Sequence, residues 1–401
     1  MLVNQQMYQT QRNDTTTAAL PVTERDRRYA AVRAALREAG LAGVIVTESH
    51  LLYLSNGIWG ELYGFLPADE EEAFEVVLPW RYLVDLDPQV VIESQEWVKR
   101  VSSGANPSPL AARIEELGLG SAKIGYAGAL NHQAYTFLIQ ALPSLQLVNA
   151  ADILNNIRTI KSAEEIALID RANHIFNAAI TRICETAKPG MLGRRVVEIG
   201  RQAMWDAGGD LASTFTLNFG ARPAQNPLLA DITLDSPIQE GDVATLTAHA
   251  HYHHYAGHSD QEIVFGEPKQ RHVNMFDAVK TVRDAVLKEV RAGLTNRELN
   301  DCYRTCCAAT GFLSSDHAQM HQYGLDVPEF PGPAFTVPDH SGKKPLSSGN
   351  FTLRNGMVFS ISPTLRDAET GETLLGGTSL VVADDGFREL GERPVELLVA
   401  G

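Results

Sequence analysis

The sequence predicts two domains, an α/β domain followed by an α+β domain, and three observations carry that prediction. The chain has 401 residues, more than one ordinary hydrophobic core serves. Between residues 24 and 150, short apolar or β-branched runs alternate with helical stretches, the pattern of an α/β layer structure. From about Ser162 the texture changes to long amphipathic helices, then a hairpin, then more helices and strands. The expected division is a flexible arm over 1–22, an α/β domain over 23–155 and a second domain over 156–401.

Glu24 to Gly40 reads as a helix, because Tyr29, Val32, Leu36 and Ala39 recur at helical spacing and Gly40 is a stop signal. AGVIVTES follows as a buried strand and LLYLSNG as a short helix or turn. EAFEVVLP, PQVVIES, AKIGYAG and LQLVNA read as strands, with helices at PLAARIEELGLG and Asn131–Leu142. Ser162 and Glu165 have the spacing of a capping box, so a long helix starts there, with Ile166, Ile169, Ala172 and Phe176 as its apolar stripe. Lys188-Pro189-Gly190 ends it. Leu192–Ala207, Asn274–Ala292 and Asn296–Gly311 are further helices, and Ser213–Phe219 is a strand. After a Pro- and Gly-rich loop (331–349), two strands, Gly356–Pro363 and Thr378–Ala383, close the chain.

Hydrophobic residues make up 44% and charged residues 21%, the balance of a globular protein. A net charge of −15 disfavours nucleic acid and anionic membranes as partners. No stretch has the apolar length of a membrane span, and the N-terminal segment lacks an apolar signal core, so a cytoplasmic protein is expected. Of the four cysteines, Cys184, Cys302, Cys306 and Cys307, none has the partners of a zinc site, and they read as structural thiols in a reducing compartment.

The chemistry concentrates in Gly241 to Gly266, GDVATLTAHAHYHHYAGHSDQEIVFG, a β-hairpin. Strand side chains alternate faces, so Thr245, Thr247, His249, His251 and His253 share one face, and Leu246, Ala248 and Ala250 the other. Asp260 and Glu262 share a face on the return strand. A carboxylate pair beside histidines suits proton transfer or metal binding. The bland reading is a wet, histidine-decorated hairpin edge.

In order along the chain, IRTIKSAEEIALIDRA, GDVATLT, SDQEIVFG, HQYGLDVPEFP, LRNGMVFSISP and GTSLVVADDG resemble the segments of the creatinase, aminopeptidase P and methionine aminopeptidase superfamily. The resemblance covers nearly the whole chain. It implies a creatinase-type N-terminal α/β domain followed by a pita-bread domain of the catalytic type, and a homodimer. It also implies, in metal-dependent members, two cations held by two Asp, one His and two Glu. At those five positions this chain has Thr247, Asp260, His321, Ser362 and Gly377, so the usual two-metal cluster is not expected. Creatinase works without metal, but its histidine before Asn-Pro is Gln225 here, its first Glu is matched by Glu262, and its second falls at Ser362. Where the superfamily has a further His, this chain has Pro328, with Glu329 following as expected.

Two chemical arrangements follow. In one, His249, Asp260 and His321 hold a single Fe(II), Zn(II) or Mn(II). In the other, no cofactor is needed, and Asp260 and Glu262 act as acid and base, or Glu262 as nucleophile, with His321 carrying protons. Gln225, Arg222, Glu329, Ser362 and Arg366 are the candidate substrate-binding residues, the arginines through a substrate carboxylate. The expected function is hydrolysis or elimination at a C–N or similar bond of a small amino-acid-like molecule. The alternatives are a mononuclear-metal hydrolase, lyase or oxidase, and a non-catalytic homologue that binds a ligand or a protein.

Overall fold

The computed structural model describes residues 20–58, 60, 62–79, 96–104, 107–210, 213–219, 234–314, 320–331 and 350–401. The chain forms two compact units, Met1–Arg158 and Thr159–Gly401. The expected arm (nearly all of it), the PQVVIES strand and almost all of the 331–349 loop lie outside the described residues.

In the first unit, helices α1 (Val22–Glu38), α2 (Glu48–Ser55), α3 (Ser108–Glu116), α4 (His132–Ala141) and α5 (Ala151–Thr159, crossing the boundary) accompany six strands. These are β1 (Gly43–Val46), β2 (Tyr63–Pro67), β3 (Glu75–Pro79), β4 (Arg100–Gly104), β5 (Lys123–Ala127) and β6 (Gln146–Asn149), in the spatial order β4-β3-β2-β1-β5-β6. The sheet is mixed: β2 runs antiparallel to both neighbours, and the other pairs are parallel. Ile45, Phe65 and Val77 pack against Leu110 and Ile114 of α3 and Leu138 of α4. Arg28, fully buried on α1, is neutralised by Glu24 one turn back at 2.8 Å, and its guanidinium stacks 3.9 Å from the Tyr53 ring centroid. β2, β4 and α5 were not foreseen. Within β2, Gly64 has no side chain and so leaves room for the Phe74 ring, and such a strand has no clean alternation to read.

The second unit opens with α6 (Ala163–Thr186), and the capping box forms as the spacing predicts: Ser162 accepts from the Glu165 amide, and Glu165 accepts from the Ser162 amide. The other Glu165 oxygen accepts from the Tyr255 hydroxyl at 2.9 Å, tying the helix start to the hairpin. α7 (Gly193–Asp206), α8 (Gln270–Glu289) and α9 (Asn296–Ala308) complete its helices among the described residues. The hairpin itself is β8 (Val243–Tyr252) and β9 (Tyr255–Phe265), flanked by β7 (Thr214–Phe219) and β17 (Leu398–Ala400) in the order β17-β9-β8-β7. A second sheet has the order β11-β12-β15-β16, from β11 (Met320–Gln322), β12 (Val358–Ile361), β15 (Thr378–Ala383) and β16 (Gly386–Glu389). β10 (Leu313–Ser314), β13 (Thr364–Arg366) and β14 (Thr373–Leu375) make a small third sheet. The chain therefore does not close on two strands; the short strands around the expected pair are too brief to show a period.

The hairpin turn is built from His253 and His254, both in the left-handed region at φ 48° and 68°. A two-residue turn of this hand matches strand twist, and histidine tolerates the conformation better than most side chains. The His254 amide donates to Asp210 at 2.8 Å, which anchors the turn. Leu246, Ala248 and Ala250 face α6 and pack with Phe176, Ala179 and Ile180. The closest approach is at Gly257, where a Cβ would lie 2.3 Å from backbone atoms of Ala172 and Asn173 on α6.

That contact yields the first prediction. Gly257→Ala forces helix and strand apart and is expected to lower stability by about 1–3 kcal/mol in chemical denaturation. Gly386→Ala, with nothing within 4 Å of its added methyl, should change it by less than about 0.5 kcal/mol.

Candidate functional site

Residues directly opposite each other in a sheet point to the same side. On the hairpin face away from α6 the register therefore stacks three polar pairs: Thr245 opposite Glu262, Thr247 opposite Asp260, and His249 opposite His258. The second sheet contributes a matching row, His321 opposite Ser360 and Ser360 opposite Ser379, with Ser362 just beyond β12 and Gly377 just before β15. The two rows meet. The His258 ring packs edge-on against His249, centroids 4.7 Å apart, and tilted against His321 at 5.0 Å. The Ser362 hydroxyl reaches the Asp260 carboxylate at 3.4 Å, and the Gly377 amide donates to the Asp260 carbonyl at 3.1 Å.

His258, one of the hairpin's five histidines, is the residue to which sequence reasoning gave no role. Its signal was available, since two residues back from Asp260 on a strand is the same face. It is buried, and its Nδ1 lies 3.2 Å from the Ala248 carbonyl. A carbonyl only accepts, so Nδ1 carries the proton. Tyr323 stands edge-on to it at 6.1 Å, with its hydroxyl accepting from Asn173 of α6, and Ser379 donates to the His258 carbonyl. His321 Nδ1 likewise lies 3.3 Å from the Gln322 carbonyl. Burial pushes His249 down to about 3, helped by the neighbouring His258 and His251 and opposed by Asp260. Burial and His258 together hold His321 down at about 4, against Asp260. Both rings are neutral at neutral pH.

The two carboxyls of the hairpin are not alike. Glu262 is sealed: Thr245 donates to one oxygen at 3.1 Å, the Leu375 amide to the other at 2.8 Å, and burial raises its pKa well above the ordinary carboxylate value. It fastens β9 to β14, and its burial sets it apart from the acid, base or nucleophile roles expected of it. Asp260 is half-buried, accepting from Thr247 at 3.0 Å as well as from Ser362.

The remaining candidates separate from this centre. Glu329 forms a buried ion pair with Lys161 at 2.8 Å and accepts from the Leu325 and Asp326 amides, so it holds a turn together rather than waiting for a substrate. Arg366 is exposed on β13, the middle strand of the small sheet. Ser362 is in the centre, bound to Asp260. Gln225 and Arg222 lie outside the described residues. His251 shares the hairpin face, its Nδ1 3.1 Å from the His249 carbonyl, and His253 is exposed at the turn.

The fit to metal can be tested on the donor set. One carboxylate, one imidazole, two hydroxyls and a glycine supply too little charge for two divalent cations. Position 377 has no room for an acid, since a Cβ there would lie 2.4 Å from the Asp260 carbonyl oxygen and 2.7 Å from Ser259 Oγ. Nor is the expected set His249, Asp260 and His321 assembled. Among the described residues no three His, Cys, Asp or Glu side chains are placed to hold an ion. The His258 ring packs against both of the other imidazoles, and Asp260 is turned to the hydroxyls.

An α/β unit followed by a unit whose two sheets bring an aspartate and histidines together defines a pita-bread protein of the creatinase type. The chain belongs to metallopeptidase family M24, whose model matches residues 167–385, and the creatinase/prolidase N-terminal domain matches 28–160. It is 23% identical over 364 residues to the uncharacterized peptidase YqhT of Bacillus subtilis, covering 90% of this chain and 97% of that one. It is 25% identical to the probable dipeptidase PepE of Mycobacterium tuberculosis, over 93% and 96% of the two chains. A relative named ectoine hydrolase, from Halomonas elongata, is 25% identical over 67% of this chain and 66% of its own length. Among solved structures, an Xaa-Pro dipeptidase from Bacillus anthracis superposes with a TM-score of 0.78 at 21% identity, covering 94% of this chain and 99% of that one. No helix among the described residues is long and apolar enough to cross a membrane.

The buried imidazoles give the centre a pH signature. Their folded values lie below the ordinary 6.5, so the unfolded chain binds protons first. Their contribution to stability is complete above pH 6.5 and is lost as pH falls toward about 4 for His321 and about 3 for His249. Each ring adds a slope of at most about 1.4 kcal/mol per pH unit. Denaturation midpoints followed from pH 7 to 4 should fall less steeply in His249→Gln and His321→Gln than in the parent. Separately, Lys161→Met removes the buried cation beside Glu329 and should cost about 3–5 kcal/mol of stability.

Proposed function

We propose that this chain hydrolyses a C–N bond, or carries out the corresponding elimination, in a small amino-acid-like molecule without a dinuclear metal centre. The observation that carries the reading is the convergence of Thr247, Ser362 and Gly377 on one half-buried aspartate, Asp260, beside neutral imidazoles. Three of the five positions that resemblance assigns to metal ligands carry no carboxylate, while the surroundings of Asp260 and His321 stay polar. The relatives with named activities are dipeptidases and a hydrolase, which supports hydrolysis as the reaction class.

His321 acts as the base. Its Nδ1 is occupied by the Gln322 carbonyl, leaving the Nε2 lone pair to take a proton from water. The resulting hydroxide adds to the substrate carbon, and the imidazolium returns the proton to the departing nitrogen. Asp260 stabilises the transient imidazolium and orients the substrate, with Thr247 and Ser362 fixing its carboxylate. Glu262 positions β9 from beneath and does not touch the substrate. A homodimer and a cytoplasmic location accompany the proposal.

The test is a hydrolase screen of small amides, amidines and Xaa-Pro dipeptides, run on protein of measured metal content, with and without chelator. Turnover that survives chelation and falls by about 10²-fold or more in His321→Gln fits the proposal. Xaa-Pro cleavage at a rate strictly dependent on two bound divalent cations would overturn it.

A further inference from the structure

Outside the hairpin centre, α9 carries three cysteines, and two of them form a pair. Leu299, Tyr303 and Cys307 make the buried stripe of that helix. Cys302 and Cys306, one turn apart, form the neighbouring row, half-buried and packed against the same core. Cys302 faces α8, its Sγ 4.0 Å from the Ala285 carbonyl, and the Glu289 carboxylate of α8 acts on it electrostatically. The Cys302 and Cys306 thiols are hydrogen-bonded to each other. Cys307 does not share this row; its thiol bonds to Tyr303 and Ser314.

Helix geometry limits what such a pair can do. Side chains four residues apart on a helix have Cβ atoms about 5–6 Å apart. A disulfide needs about 3.5–4.5 Å, so joining the sulfurs directly would mean distorting α9, whose start is held by the Thr295–Glu298 capping box. An ion between the sulfurs removes the mismatch, because two metal–sulfur bonds of about 2.3 Å let them stand up to about 4.6 Å apart. Zn(II) asks for four ligands, and among the described residues no third His, Cys, Asp or Glu joins the two thiols to hold an ion. The ions that remain are soft ones satisfied by two thiolates in line, Cu(I) and Hg(II). Burial and the neighbouring Cys306 push the Cys302 thiol up to about 11, so it is a poor nucleophile at neutral pH, and an incoming ion must displace its proton. Two thiol protons leave to solvent as two metal–sulfur bonds form. The Hg(II) complex is then neutral, and the Cu(I) complex carries one negative charge.

We propose that Cys302 and Cys306 form a two-coordinate site for a single soft metal ion, set where α9 faces α8. The site shares no residue with the hairpin centre and does not depend on the proposed reaction. Its half-buried sulfurs are reached without opening the core.

The experiment titrates the full chain, reduced and anaerobic, with Cu(I) in competition with bicinchoninate and, separately, with one equivalent of Hg(II) followed by its sulfur-to-metal charge-transfer absorption. One ion per chain with two sulfur neighbours in X-ray absorption is expected in each arm. Cys302→Ser and Cys306→Ser should each weaken retention by about a hundredfold or more, and Cys184→Ser by less than about twofold, with folding checked by circular dichroism. Where a serine variant does not fold, alanine, the better helix former, takes its place. Glu289→Gln should tighten Cu(I) by about two- to threefold and leave Hg(II) unchanged, because only the Cu(I) complex is charged. Failure of the parent to retain either ion, retention unchanged in the folded Cys302 or Cys306 variants, or a Cys302–Cys306 disulfide formed by peroxide in the folded chain would each overturn the proposal.

Discussion

The register of one hairpin decides everything else in the second unit. Because β8 and β9 alternate strictly, Leu246, Ala248 and Ala250 go to α6, and Thr247, His249, His258 and Asp260 go to the site. A slip of one residue would exchange the two sets and bury the polar row against a helix. Two features pin the register. At Gly257 the α6 backbone lies so near that only glycine fits, and at the turn His253 and His254 accept the left-handed conformation a two-residue loop needs. Glu165 connects them, capping α6 with one oxygen and holding Tyr255 at the hairpin with the other.

The same register explains which parts of the molecule were legible in the sequence. The capping box at Ser162, the period of α6 and the hairpin's alternation are local signals, and the structure follows them. The faces assigned to Thr247, Asp260 and Glu262 hold for the same reason. What failed was long-range. That Glu329 is paired to Lys161, or that Leu375 caps Glu262, depends on residues over a hundred positions apart, and no local period reports it. The expected set of His249, Asp260 and His321 failed differently. Each residue is near the centre, yet the ring of His258 packs against both histidines, and only the cross-strand pairing puts it there.

Gly377 shows why the centre is more than a list of missing ligands. Its amide and carbonyl are joined to β9, through the Asp260 carbonyl and the Gln261 side chain, and a Cβ would collide with Asp260. The strand has closed onto the place where a carboxylate would stand. Backbone contact of this kind cannot be undone by one substitution, since a larger side chain must first displace a paired strand. The family's fold is retained, and at Gly377 main chain stands where the resemblance leads one to expect a carboxylate.

Electrostatics then sets what the closed centre can hold. Two divalent cations need several carboxylates, and here one remains at the surface of the site. Its neighbours His249 and His321 are kept uncharged by burial, helped by His258, so neither brings Asp260 a positive charge. Protonating a ring would supply a counter-charge, but burial opposes it for each ring, and the neighbouring His258 would be repelled by it.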